Sequence, residues 1–177
     1  MRNLAFFLIA ASLSFAAEAW VEGIALDVYD GDTFKLNQNG QIIKIRVFGI
    51  DAPESNQPYG QESGKALRGL IDGRQVRIRI QNKDVYGRTV GEPWLGDSLN
   101  ISLWMIKNGN AWWYKRYSKK RVDFEEAEAE AKARKLGLWA DNNPISPWDF
   151  RSAEKSRKAK EKNKKSKSKK SKKSKKK

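Results

Sequence analysis

Five charged residues in three short, separated phrases carry the chemistry this chain is equipped for: Asp32 in YDGDT, Arg46, Asp51 and Glu54 in IRVFGIDAPE, and Arg88 in DVYGR. Acids that can hold a hard cation, one spare carboxylate and two permanently charged guanidinium groups are what hydrolysis of a phosphodiester needs when histidine and cysteine are both missing. Both are missing here, which rules out zinc sites of the Cys or His type and leaves the fold to be held by its core without disulfides.

Taken singly, each phrase also has an ordinary reading. Asp30-Gly31-Asp32 has the composition of a turn. Arg46, alongside Lys44, suits the solvent face of a strand, and Arg88 suits the end of a turn, since most charges are surface charges. Asp51-Ala52-Pro53-Glu54 is more constrained, because Pro53 disfavours the helical conformation at Ala52 and holds the segment extended. That geometry would let Asp51 and the Ala52 carbonyl face a cation already touched by Asp32, with Glu54 just beyond the ligands. Oxygen-only, partly hydrated coordination favours calcium over zinc; magnesium, stricter about octahedral geometry, is the less favoured alternative.

The elements that must position these residues read as strands first and helices later. Residues 21–29 and 33–36 are short strands broken by the Asp-Gly-Asp turn, and 42–48 alternates apolar residues with Lys44 and Arg46. A turn from Asn37 to Gly40 joins the last two as a hairpin. Residues 61–70 have helical spacing and stop at Asp72-Gly73; 75–80 alternates Val76, Ile78 and Ile80 with Arg77 and Arg79. A further strand is expected over 89–94 after the Tyr86-Gly87 turn, then a helix over 99–107. The clearest helix is 123–135, Ala-rich, acidic at its start, basic at its end and followed by Gly137, which suits the macrodipole and a left-handed cap. Residues 142–147 read as a terminal turn region. Five short strands with a helix between the third and fourth fit a β-barrel plus α-helices, specifically a five-stranded Greek-key barrel of the OB type with about three packed helices.

Two appendages flank this body of residues 20–150. Residues 1–19 carry Arg2, a mostly apolar run and an Ala17-Glu18-Ala19 site, the pattern of an export signal cleaved to leave Trp20 first. The run is shorter than the roughly 20 residues a spanning helix needs, and no later segment is apolar enough to span, so the expectation is a periplasmic or extracellular protein with no transmembrane segment after cleavage. Residues 151–177 carry 16 Lys and Arg against Glu154 and Glu161, whereas 20–150 hold 19 basic and 18 acidic residues. The pI near 10.0 therefore belongs to the tail and not to the body. The tail repels itself and has little to bury, so composition predicts disorder. Its charge density suits a salt-sensitive grip on nucleic acid, on an anionic envelope polymer or on anionic lipid headgroups, beyond what solubility alone requires.

The ordered phrases D-G-D-T, Arg46, D-A-P-E and Y-G-R, with Gly-Leu-Trp after the last helix of the body, resemble the staphylococcal (micrococcal) thermonuclease family over about residues 20–150. The resemblance implies an OB-fold nuclease that uses one calcium ion to cleave DNA and RNA with little sequence preference. It implies that Asp32 and Asp51 are side-chain calcium ligands and Ala52 a carbonyl ligand, that Glu54 acts on the attacking water, and that Arg46 and Arg88 bind the scissile phosphate. The residue types agree, since water attack builds negative charge on nonbridging oxygens that a cation and two forked guanidiniums stabilise. The chain departs from the family pattern at Val85, where many relatives carry a basic residue and which Lys83 would have to replace, and at Asn110, where relatives usually carry an apolar one.

The run Trp112-Trp113-Tyr114-Lys115-Arg116-Tyr117 suits a base-stacking platform with interleaved cations, or core packing. Adjacent residues of a strand face opposite ways, so at least one Trp belongs to the core. Tyr117 and Tyr86 are the expected substrate contacts, with Lys83. The alternative to an exported calcium-dependent endonuclease is a catalytically silent OB module that binds nucleic acid through aromatics and tail; a third reading is a cationic envelope binder on a relic domain. The complete acid and arginine set favours the enzyme. A monomer is the default expectation.

Overall fold

The alternation of the first three predicted strands is enough to build a hairpin pair, and the computed structural model, which describes residues 19–174 with side chains to residue 165, shows how that pair becomes a barrel. The segment read as an export signal lies, up to residue 18, outside the described residues.

β1 (Trp20–Leu26) pairs antiparallel with β2 (Thr33–Gln38), and β2 with β3 (Gln41–Val47). The β2–β3 turn is Asn39-Gly40 with both residues at positive φ (52° and 90°), the turn whose twist matches that of the flanking strands. β5 (Gln75–Lys83) pairs with the other edge of β1, and β6 (Thr89–Leu95) pairs with β5. A parallel pairing of β3 with β6, Ile45 to Thr89, Arg46 to Val90 and Val47 to Gly91, closes the ring. The result is a closed five-stranded mixed barrel of the OB type. Inward positions are filled by Ala25, Phe34, Leu36, Ile45, Val76 and Ile78, all fully buried. Each such large side chain stabilises the fold by about 1.5–3 kcal/mol.

Three helices cover the barrel: α1 (Gly60–Ile71), α2 (Ile101–Lys107) and α3 (Val122–Ala133). Three two-residue strands complete the body. β4 (Ile50–Asp51) pairs with β8 (Trp112–Trp113), and β7 (Leu99–Asn100) extends β6. Sequence spacing places residues 99–100 in the second helix, but both pair with β6, and Asn100 caps α2 by accepting the Leu103 N–H (3.0 Å). The first strand ends at Leu26 and not at Tyr29, because Asp27 takes a positive φ of 44°. The third helix ends two residues early, with Lys135 in the left-handed conformation (φ 50°); Gly137 is left-handed as expected (φ 52°) and opens a 3-10 turn, Gly137–Ala140.

The largest departure from expectation is at the C-terminal end. Where composition predicts a terminal turn and then disorder from residue 151, the chain forms α4 (Pro147–Ser174). Ser146 accepts the Asp149 N–H and donates to the Asp149 carboxylate, and Pro147 takes the first helical position, so the start is capped in the way local rules favour. Nearly every residue from Lys155 to Lys165 that carries charge is exposed, and the Lys, Ala, Glu and Arg of this stretch are strong helix formers. No helix among the described residues is long and apolar enough to cross a membrane.

Candidate nuclease-type active site

The site forms where the Asp-Gly-Asp loop after β1, the outer face of β3 and the short strand β4 converge against the start of α1. Two glycines set the approach. A Cβ on Gly31 would lie 1.8 Å from Ser63 Oγ, and one on Gly60 would lie 1.8 Å from the Glu54 carbonyl oxygen. Only glycine lets both site loops rest this closely on α1. Ser63 is in turn held by its hydroxyl, which donates to the Asn110 carbonyl (2.7 Å), and the Tyr59 hydroxyl donates to Asn110 Oδ1 (3.0 Å). The unusual Asn110 is thus a buried structural tie between α1 and the segment leading into β8.

Asp32 is 5% exposed and its two oxygens are fully directed. Oδ1 accepts from Thr33 Oγ1 (3.0 Å), and Oδ2 accepts the Ala52 N–H (2.8 Å). The Asp32 N–H donates to Asp30 Oδ1 (3.0 Å), which makes the loop an Asx turn. Arg46, projecting from β3, bridges two acids: Nη1 meets Asp32 Oδ2 at 2.5 Å and Nη2 meets Asp51 Oδ1 at 2.8 Å. Burial pushes the Asp32 carboxyl up to about 6 against the opposing pull of Arg46. Burial also raises Asp51, with Arg151 and Arg46 opposing. Two buried acids side by side, for which burial outweighs the pull of the neighbouring guanidiniums, fit a hard divalent cation.

A second guanidinium reaches the same acids. Arg151 of α4 donates to both oxygens of Asp51 (Nη2 to Oδ2 2.7 Å, Nη1 to Oδ1 3.2 Å) and to Glu54 Oε1 (2.8 Å). Asp32, Arg46, Asp51, Ala52 and Glu54 are therefore brought together. Among the described residues no three acids are already arranged as a closed cage; two guanidiniums tie them together instead. The donor set, all oxygen and net negative without the arginines, suits calcium in residue type.

Arg88 lies apart from this cluster, in the loop between β5 and β6. Asp84 organises that loop, accepting the Tyr86 and Arg88 N–H groups on Oδ1 (2.9 and 3.0 Å) and Arg88 Nε on Oδ2 (2.7 Å). The β3–β6 register sets Val90 opposite Arg46, so Arg88, two residues earlier, approaches along the same strand edge. Tyr86 is exposed under the Arg88 guanidinium (5.6 Å), and Lys83 is exposed at the end of β5. Tyr117 lies elsewhere, edge-on to Tyr114 (5.1 Å). The two tryptophans divide as strand alternation requires. Trp113 is buried, with Nε1 donating to Ser118 Oγ (2.8 Å), while Trp112 turns outward to meet Trp139 (4.3 Å) and Trp148 (5.5 Å).

Three participants are absent from the motif reading: Asp84, Trp148 and Arg151. Asp84 has a local signal, since an acid four residues before an Arg across Tyr-Gly can close the loop. Ser146-Pro147 carries a local helix-start signal that a reading of 142–147 as a terminal turn misses. Nothing local marks Arg151, whose partners lie 97 and 100 residues away.

A family model described as staphylococcal nuclease homologue matches residues 44–141. The chain is 43% identical over 129 residues to a Haemophilus influenzae protein named uncharacterized endonuclease, covering 72% of this chain and 71% of that one. It is 35% identical over 158 residues to a Shigella flexneri protein named micrococcal nuclease, covering 83% and 91%. It is 46% identical over 115 residues to a rice protein named probable staphylococcal-like nuclease, covering 65% of this chain but only 30% of the rice protein. The chain thus spans less than a third of the length of the rice relatives it matches.

Proposed function

We propose, because the chain belongs to the staphylococcal nuclease family, that it is an exported, calcium-dependent endonuclease hydrolysing DNA and RNA with little sequence preference. The single observation that carries this reading is Arg46 bridging buried Asp32 and Asp51, with the Ala52 N–H on Asp32 and Glu54 beside them. A purely binding surface has no use for two buried acids next to a third.

Asp32, Asp51 and the Ala52 carbonyl would hold calcium, which supplies positive charge to a nonbridging phosphate oxygen. A guanidinium carries five N–H donors, and Arg46 directs two of them at the acids. Its fixed position lets the remaining donors address a phosphate without reorganisation. Arg88, steadied through Nε by Asp84, would complete the clamp from the neighbouring strand edge. Glu54 is partly exposed, as a base that takes a proton from water must be. Attack of that water oxygen on phosphorus, with the proton passing to Glu54, breaks the bond to the leaving oxygen, which departs with the bonding pair and takes a proton from solvent water to become the alcohol. Export is supported by the strand that begins at Trp20: cleavage after Ala19 would keep every residue of β1 and lose one hydrogen bond at its start, from the Ile80 N–H to the Ala19 carbonyl (2.8 Å).

The test is incubation of the mature protein with linear DNA, circular DNA and RNA in calcium, magnesium or chelator, beside Glu54→Gln. Cleavage of all three in calcium, lost in chelator and strongly slowed in the variant, is expected. Degradation that ignores calcium, or binding without cleavage under every condition, overturns the reading.

A further inference from the structure

The first two turns of α4 deliver two side chains to the site from one helix face. Gln57, just past Glu54, donates through Nε2 to the Ile145 carbonyl (2.6 Å) and anchors the chain ahead of the helix. Trp148 then stacks on Tyr114 (5.7 Å between ring centres, 14° between planes) and meets Trp112 edge-on. Arg151 follows three residues later, on the same face, and forks onto Asp51 while reaching Glu54.

This is more than a surface ion pair. Asp51 is 1% exposed, and a bidentate guanidinium on a buried carboxylate is among the stronger charge-assisted contacts. Its two acids are the ones assigned above to cation and water. The Trp148 ring covers Tyr114 at the edge of a groove of about 690 Å³ also lined by Trp112, Arg116 and the pairs Lys115–Glu125 and Lys132–Glu128. Flat rings beside Arg116 are what a nucleobase and a neighbouring phosphate would occupy.

We propose that the start of α4 is an autoinhibitory strap: Arg151 competes with the cation for Asp51 while occupying the Glu54 carboxylate assigned to water, and Trp148 competes with a nucleobase for the Tyr114 and Trp112 rings. The strap rests on the nuclease reading above. Arg46 takes only Oδ1 of Asp51, whereas Arg151 takes both oxygens, so a divalent cation that binds Asp51 through Oδ2 displaces Arg151 and leaves Arg46 in place. Trp148 leaves with Arg151, since one helix turn carries both. Cation and single-stranded substrate therefore bind with positive coupling. Beyond Glu154 the same helix continues as a polycation, so the released strap keeps its charge near the incoming phosphate backbone.

Calorimetric titration of the full-length mature chain with calcium, in the absence of nucleic acid, reads the competition directly. Arg151→Ala and Arg151→Gln are expected to bind calcium about tenfold more tightly than wild type, within the usual range for coupled sites. Fluorescence anisotropy of a labelled single-stranded oligonucleotide in chelator reads the other half, with tighter binding expected for Trp148→Ala. Calcium affinity equal to or below wild type in both Arg151 variants overturns the strap and leaves the nuclease reading standing. Failure of wild type and variants alike to bind calcium overturns both. Unchanged or weaker oligonucleotide binding by Trp148→Ala overturns the ring competition.

Discussion

Arg46 is counterion to two buried acids and, in the proposed mechanism, also a clamp on a phosphate, and only a planar fork with five donors can do both. A lysine there would be a point charge able to face one acid but not bridge two. Arg88 is fixed differently, by a single carboxylate that also closes its own loop. Arg46→Ala and Arg88→Ala are each expected to slow turnover at saturating calcium by at least about 10²-fold, roughly 3 kcal/mol, as for loss of one preorganised donor to a developing oxyanion. Lys at either position should recover little. Near-normal kcat in either alanine variant takes that residue out of the mechanism. At this scale the sequence was highly legible, because Asp32, Arg46, Asp51, Ala52 and Glu54 lie in two local phrases whose turns and extended segment are set by Gly31 and Pro53.

At the scale of elements, the barrel is locked to its helices through one fully buried carboxylate. Glu92 on β6 accepts from Arg79 on β5 (2.5 Å), from the α2 cap Asn100 (2.6 Å) and from Arg121 at the head of α3. Burial alone would raise this carboxyl, but the hydrogen bonds from Asn100, Arg121 and Arg79 outweigh it and hold Glu92 below its ordinary 4.5. A depressed carboxylate contributes stability that is present above 4.5 and lost as pH falls through the lower folded value. Glu92→Gln is expected to cost about 3 kcal/mol at neutral pH, the loss of one partner from a buried ion pair. Its stability should also fall less steeply than wild type on acidification below 4.5, as read by urea melts at a series of pH values. Parallel wild-type and variant acid limbs would assign the pH dependence to other carboxylates. Strand alternation made the barrel strands readable, but it gave no hint that Glu92 would be interior, since a charge in a strand is by default an outward residue.

At the scale of the molecule, a nearly neutral body carries the chemistry and a strongly basic helix extends from its edge. Truncation after Glu154 keeps Trp148 and Arg151 in place and removes most of the positive charge. The truncated protein is expected to bind polynucleotide more weakly at low salt and with a flatter salt dependence, while cleavage at saturating substrate stays near that of the full chain. Binding isotherms across a salt series check this, and an unchanged slope would show that the helix grips something other than nucleic acid.

The sequence by itself determined the barrel, its covering helices and the local phrases from which the candidate site is assembled, because strand alternation, turn residues and short-range spacing are local. Tertiary structure alone decided that Arg151, a residue of a repetitive cationic tail by composition, sits on Asp51 and Glu54, three residues after a Trp148 stacked on Tyr114. The Ser146-Pro147 cap starts the helix locally, but its destination depends on how residues about 100 positions apart in the chain are brought together by a closed barrel. No period or spacing within the tail encodes that path.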